Sequence, residues 1–221
     1  DGYIMKVLVI GGGAREHAIA WKLNSSPHVT ELYTAPGNAG TAQLGTNLDI
    51  SATDVQGLVD AVKQHDVKLT IVGPETSLDA GVVDQFRAEG LAIAGPTQAA
   101  ARIETSKAFA KDLMQKYGIP TGKADLFTNY EDAVRYVNQN PGPLVVKADG
   151  LTGGKGVTVC QTQDEGLQAL REAMEEQVFG SSGEHVLIEE FLTGQEISVF
   201  TFTDGVHLSP LVAACDYKRI R

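Results

Sequence analysis

Only two cysteines occur in the 221 residues, Cys160 and Cys215, and neither sits in a Cys-x-x-Cys pair or a metal-type cluster. They read as buried or indifferent thiols of a reducing compartment, which points to the cytoplasm. Basic residues are scarce as well: 18 Lys and Arg stand against 28 Asp and Glu, for a net charge of -10. That balance argues against non-specific binding to nucleic acid or an anionic membrane, both of which need a surplus of Lys and Arg. It leaves room for a local basic pocket that takes a phosphate. No apolar run reaches the roughly 18 residues of a membrane span, and no signal peptide is visible. The five histidines are scattered, with no partner at metal-ligand spacing. Internal repeats and low-complexity segments are missing. "DGYI" ahead of Met5 reads as a foreign leader, with Met5 as the natural start.

What is present is an ordinary globular composition, 43% hydrophobic and 21% charged. A chain of this length buries a sizeable core and fits one large or two smaller domains. "MKVLVI", Met5 to Ile10, is an apolar run ending in "GGG", the pattern of a buried parallel strand. A helix follows over "AREHAIAWKL", then a strand from Val29 and a helix N-capped by Asp54. Next come a strand over "LTIVG", one helix over "SLDAGVVDQFRAEG" closed by Gly90, and a strand over "LAIAG". Strands that alternate with helices and end in glycine predict an α/β fold, an open parallel sheet with flanking helices over residues 1–105.

A helix capped by Ser106 and closed by Gly118 and Pro120 connects residues 106–124 to the rest. The grammar then changes. A helix over "YEDAVRYVNQN" leads to a strand "PLVVKAD", a glycine loop and a strand "VTVCQT". A long amphipathic helix over about 164–178 follows, then the strands "HVLIEEF", "QEISVFTFTDG" and "VHLSPLVAA". Short turns such as Asp204-Gly205 suggest antiparallel pairing, so a separate α+β unit is expected from about residue 125. The chain stops at "CDYKRIR" with no cap or turn, as though inside a structural unit.

Four glycine-bearing loops should converge at the carboxyl edge of the first sheet, where open α/β sheets collect ligands. Gly11 and Gly13 fit the first two glycines of a dinucleotide fingerprint, but Glu16 stands at the third, and no ribose-binding acid ends the second strand. An NAD oxidoreductase is therefore disfavoured. The glycines serve either a tight turn or a phosphate held at a helix N-terminus, with Arg15 adding charge. "PGNAG" contributes Gly37 and Asn38 to the same edge. Glu75 is either a reader of hydroxyls there or a carboxylate that favours a helix start.

The loop "GLTGGKG" leaves many backbone amides free, and glycine lets a phosphate approach them closely. Lys155 inside the loop and Lys147 on the preceding strand would add charge. No Gly-Lys-Ser/Thr opens a helix, so this is not a Walker A loop. The plain alternative is a flexible hairpin with solvated lysines. In "LIEEFLTGQE", Glu189 and Glu190 point to opposite faces, so one turns inward or toward a ligand. A strand that turns at Leu192 can offer its backbone to an adenine edge, with Glu196 on the ribose. The alternative is an edge strand carrying protective charges.

In order, "VLVIGGGAREHA", "PGNAG", "VGPE", "GPT..AA..E.SK", "P.VVKADGL..GKGV", "EEFL.G.E.S" and "DYKR" resemble the phosphoribosylamine–glycine ligase family of the ATP-grasp superfamily, from Met5 onward. The resemblance implies an N-terminal pre-ATP-grasp domain that holds phosphoribosylamine. It also implies a small ATP-grasp lid over 125–195 and the incomplete beginning of the large ATP-grasp sheet over 196–221. By resemblance, Lys107 and Lys147 touch ATP phosphates, and Gly153, Gly154, Lys155 and Gly156 form the mobile phosphate loop. Glu189, Glu190, Leu192 and Glu196 meet the nucleoside. Gly11, Gly13, Arg15, Glu16, Gly37, Asn38 and Glu75 fall on the substrate side, as do Asp216 and Lys218 of "DYKR". The implied reaction joins glycine to phosphoribosylamine through glycyl phosphate, with ATP giving ADP and phosphate, in purine synthesis. The ligands of the implied Mg²⁺ or Mn²⁺ are expected beyond residue 221, so residues 1–221 alone are expected to be inactive. Cys215 stands where the family more often has a glutamine. A monomer is favoured. Another ATP-grasp ligase, a biotin-carboxylase-like enzyme and a non-catalytic nucleotide-binding module are the competing readings.

Overall fold

The computed structural model describes residues 5–203, 205–209 and 212–215; Asp204, Asp216 and Lys218 lie outside the described residues. The elements run β1 (Met5–Gly11), α1 (Ala14–Asn24), β2 (Val29–Pro36), β3 (Thr46–Asn47), α2 (Val55–His65), β4 (Leu69–Val72), α3 (Glu75–Asp79), α4 (Val82–Ala88) and β5 (Ile93–Ala94). They continue with α5 (Gln98–Thr105), α6 (Lys107–Lys116), β6 (Ala124–Phe127), α7 (Tyr130–Gln139), β7 (Leu144–Ala148), β8 (Val157–Cys160), α8 (Gln163–Leu170), β9 (Val186–Glu190), β10 (Ile197–Val199) and β11 (Ala213–Cys215).

The first sheet is parallel throughout, in the order β3-β2-β1-β4-β5. The continuous apolar run of β1 follows from its central place. Leu8 and Ile10 pack to one side with Leu58, Val59, Val83 and Phe86, while Val7 and Val9 pack to the other with Ala20 and Leu32. Each fully buried Val, Leu, Ile or Phe among them contributes about 1.5–3 kcal/mol relative to exposure. Asp54 caps α2 by accepting from the Gly57 amide at 3.0 Å, as expected.

Three elements differ from the sequence pattern. The single helix expected over 77–90 is two, α3 and α4, broken at Gly81, whose φ of 79° only glycine adopts cheaply. The break re-aims the chain so that Val82, Val83 and Phe86 all reach the core. The helix expected over 164–178 is α-helical only to Leu170; the turn 171–175 widens to an i→i+5 bond, from the Glu176 amide to the Arg171 carbonyl. The long strands expected after residue 195 reduce, among the described residues, to the pairing of β10 with β11 and a Thr203–Leu208 bridge. They pair there only with each other, and a two-stranded ribbon is marginal by itself.

The second sheet is antiparallel, in the order β6-β9-β7-β8. Here β9 is a central strand and not a charged edge. One face of the sheet, with Leu144, Val146, Val186 and Ile188, packs on Ala133, Val137 and Leu170. Strand alternation then sends Lys147 and Glu189 to the other face. The register pairs Val145 with Glu189 and Lys147 with Leu187, so Lys147 and Glu189 are diagonal neighbours.

Candidate functional site

The α5–α6 joint connects the first sheet's unit to the second. Ser106 is extended between the helices and caps α6, accepting from the Phe109 amide at 3.1 Å. Asp149, at the end of β7, accepts from the Ala108 amide at 3.2 Å and from the Ser106 hydroxyl at 3.3 Å. Lys107, in the first turn of α6, donates to the Ala148 and Gly150 carbonyls, both at 2.9 Å. These bonds clamp the start of α6 to the root of the glycine loop. Burial holds the Lys107 ammonium below the ordinary lysine pKa, with nearby Asp149 opposing that shift.

The loop itself is open at its tip. Gly153 and Gly154 have φ of 60° and 80°, and no atom lies within 4 Å of where a Cβ would stand on either, so nothing in the fold fills the space above them. Thr152 closes the loop from inside: its carbonyl accepts from the Lys155 amide at 3.2 Å and its hydroxyl from the Gly156 amide at 2.9 Å. The Lys155 side chain is exposed.

A cavity of about 340 Å³ has a lining that includes Lys107, which bonds the root of the loop, with Lys147, Glu189 and Leu192, and with Ile103 and Met114 as apolar walls. Four residues named from the sequence thus share one cavity. Glu189 is the inward acid. Its carboxylate pairs with Lys147 at 2.7 Å and with Lys111 at 3.5 Å. Glu190 turns the other way, and its carboxylate accepts from the Lys123 amide at 2.7 Å. Glu196 is exposed just past Gly194, whose φ is 147°. Sequence reading missed Lys111, Asp149 and Thr152. Lys111 had a signal: it lies one helical turn after Lys107, on the same face.

At the first sheet the expected loops do meet. The Gly37 amide donates to the Gly11 carbonyl at 3.1 Å and the Gly73 amide to the Ile10 carbonyl at 3.0 Å. Asn38 braces them, donating to the Gly12 carbonyl at 3.0 Å and the Gly13 carbonyl at 3.2 Å. Glu16 is buried and accepts from the Gly13 amide at 2.6 Å, packed against Gly11 and Gly73. These residues frame the edge. Arg15 and Glu75 face a second cavity of about 250 Å³ and approach each other to 3.8 Å; Arg15 also donates to the Gly73 carbonyl at 3.3 Å. Ile103 of α5 lines both cavities.

Among the described residues no three His, Cys, Asp or Glu side chains gather to hold a metal ion. They therefore do not by themselves fit the expected Mg²⁺ or Mn²⁺, and the chemistry assigned to them uses none. No helix among them is long and apolar enough to cross a membrane.

The family model for the phosphoribosylglycinamide synthetase N domain matches residues 5–104, and that for the phosphoribosylglycinamide synthetase ATP-grasp (A) domain matches residues 105–221. A curated phosphoribosylamine–glycine ligase from Yersinia pestis is 49% identical over 218 residues, covering 98% of this chain and 51% of the relative. The chain thus spans about half the length of the curated relatives it matches. A crystal structure of phosphoribosylamine–glycine ligase from Thermotoga maritima superposes with a TM-score of 0.76 at 29% identity, over 93% of this chain and 49% of that one. The biotin carboxylase domain of Hydrogenobacter thermophilus 2-oxoglutarate carboxylase, solved with MgADP, ADP and bicarbonate, shares the fold at a TM-score of 0.70 and 16% identity, over 90% of this chain and 47% of that one.

Proposed function

Because the chain belongs to the phosphoribosylglycinamide synthetase family, we propose that the full-length protein ligates glycine to 5-phosphoribosylamine, giving glycinamide ribonucleotide while ATP becomes ADP and phosphate. The observation that carries this reading is the cavity where Lys107, Lys147 and Glu189 converge. A carboxylate is a poor acyl donor. Phosphorylating it needs charge neutralisation and positioning more than covalent help. Lys107 and Lys147 supply positive charge at one wall, and Lys155 supplies it from the open loop. Leu192 borders the same cavity as the adenine edge, with Glu196 beyond it on the ribose side.

In this reading the glycine carboxylate attacks the terminal phosphorus, and ADP leaves. The amine of phosphoribosylamine then attacks the glycyl carbonyl, loses a proton and expels phosphate. Water competes for the acyl phosphate, so a loop that folds over it protects the intermediate. The exposed tip at Gly153 and Gly154 suits that motion. Phosphoribosylamine is assigned to the carboxyl edge of the first sheet, where Arg15 and Glu75 face the second cavity. Residues 1–105 form the substrate domain in this parsing, 106–124 the connector, 125–195 the lid and 196–221 part of the large sheet. The divalent cation, Mg²⁺ or Mn²⁺, is assigned to residues in the part of the relatives that this chain does not span. A monomer working in the cytoplasm goes with this reading; Cys160 and Cys215 are both free.

The test is ADP release by the full-length protein given ATP, Mg²⁺ and phosphoribosylamine, with glycine, formate or bicarbonate as the carboxylate. Release that depends on glycine is expected; release driven by formate or bicarbonate instead would overturn the assignment. Lys155 supplies a narrower check. Its side chain is exposed, so Lys155→Ala is expected to weaken ATP use by about tenfold, within the range for one charge-assisted contact, while leaving the unfolding temperature unchanged. Steady-state kinetics and thermal unfolding of the same preparation read both quantities.

A further inference from the structure

We propose that Lys111 is a positioning residue of the nucleotide site, one that keeps Glu189 charge-balanced so that Lys147 is free to turn from that carboxylate to a phosphate. The inference rests on reading the cavity as the nucleotide site and adds a residue and a role to it.

The geometry is asymmetric. Glu189 is a nearly enclosed carboxylate, its side chain 10% exposed, with a cation on each oxygen: Lys147 on Oε2 at 2.7 Å and Lys111 on Oε1 at 3.5 Å. Lys111 is equally enclosed, at 11%, and its Nζ also donates to the Thr121 hydroxyl at 2.7 Å and the Gly122 carbonyl at 2.8 Å. An ammonium has three donors; the adjacent Thr121 and Gly122 of the α6–β6 connection take two of them, and Glu189 of β9 pairs with the same charge. Lys111 is therefore locked. Lys147 is more open, at 27%, and lines the cavity wall.

A desolvated carboxylate left with a single cation holds it hard, because separation strands an unpaired charge out of water. With one lysine only, Glu189 would compete with any incoming phosphate for Lys147. The fixed charge of Lys111 removes that conflict: after Lys147 moves, Glu189 is still paired. A plain structural role for Lys111, tying the α6–β6 connection to the second sheet, predicts something different. It would act through Thr121 and Gly122 and would not depend on the charge of Glu189.

The test is a double-mutant cycle on ADP affinity, measured by calorimetry with Mg²⁺ in the full-length protein. Lys111→Met is expected to weaken ADP binding roughly tenfold, the size of one strong coupling between neighbouring charges. In the Glu189→Gln background, where no carboxylate charge grips Lys147, the same change is expected to cost less than about twofold. Lys111→Gln serves where the methionine variant does not fold: it keeps a donor for the Gly122 carbonyl but carries no charge, and the same pair of results is expected. A loss of equal size in both backgrounds, or wild-type affinity in Lys111→Met, would overturn the role. Wild-type protein that takes up no ADP would overturn the nucleotide reading and this inference with it.

Discussion

Full-length protein carrying Lys147→Met is expected to lose about 10²- to 10³-fold in kcat/KM for ATP, the usual cost of removing one donor from a site of developing charge. Lys147 stands on β7 with its ammonium against Glu189 at the cavity wall, on the face of the sheet away from the hydrophobic core. Methionine keeps the length and apolar stem of the side chain, so packing is little disturbed. Glu189 keeps Lys111, so the loss in folding stability is held to about 1.5–3 kcal/mol, the range for one hydrogen bond to a charged group. Activity should therefore fall far more than stability. Lys107 offers the contrast. Its ammonium ties the start of α6 to the Ala148 and Gly150 carbonyls, so Lys107→Met should damage fold and activity together. Kinetics and urea unfolding on both variants decide the matter: kcat/KM for Lys147→Met within threefold of wild type would remove that lysine from the chemistry.

The second large effect is on folding. Gly11 has a φ of 125°, and a Cβ there would lie 2.4 Å from Glu16 Cγ and 2.9 Å from Pro74 Cδ. Glu16 cannot move aside, because its carboxylate holds the Gly13 amide and its stem also fills the space beside Gly73. Gly11→Ala therefore adds backbone strain of about 1–3 kcal/mol and overpacking of about 1–3 kcal/mol. A total near 3 kcal/mol or more should lower the unfolding temperature by roughly 6–12 °C. Gly90 separates the two terms: its φ is 70°, but nothing lies within 4 Å of the Cβ position. Gly90→Ala should cost only the strain, about 1–2 kcal/mol. Equal costs at the two glycines would show that the close approach of Glu16 does not constrain the edge.

Much of this was legible in the residues. The apolar run of β1 announced burial on both faces, and the glycine at the end of each strand announced loops that meet at one edge. The acid at Glu189 was legible as an anomaly, since a carboxylate in an otherwise apolar strand needs a partner. Of its two partners, Lys147 was named but not the pairing, and Lys111 carried only the weak signal of standing one turn after Lys107. On an amphipathic helix a lysine otherwise reads as solvated, and the fold of α6 turns this one inward. Gly81 looked like a tolerated helical glycine, and its break shows only when Val82, Val83 and Phe86 compete for the same core. β3 and β6 escaped notice because two residues, or four with two exposed, carry too little alternation to register. Glu16 stands where a dinucleotide fingerprint has glycine, and the sequence alone does not show that its buried side chain holds the Gly13 amide.

The central claim is that the glycine loop, the lysines of the cavity and the end of β9 form one nucleotide site, separate from the glycine-bearing edge of the first sheet. Amide hydrogen exchange of the full-length protein with and without saturating MgADP tests it most directly. Slowed exchange concentrated in residues 150–157 and 189–192 is the predicted result. Protection confined to residues 11–16, with the loop at 150–157 unchanged, would contradict it.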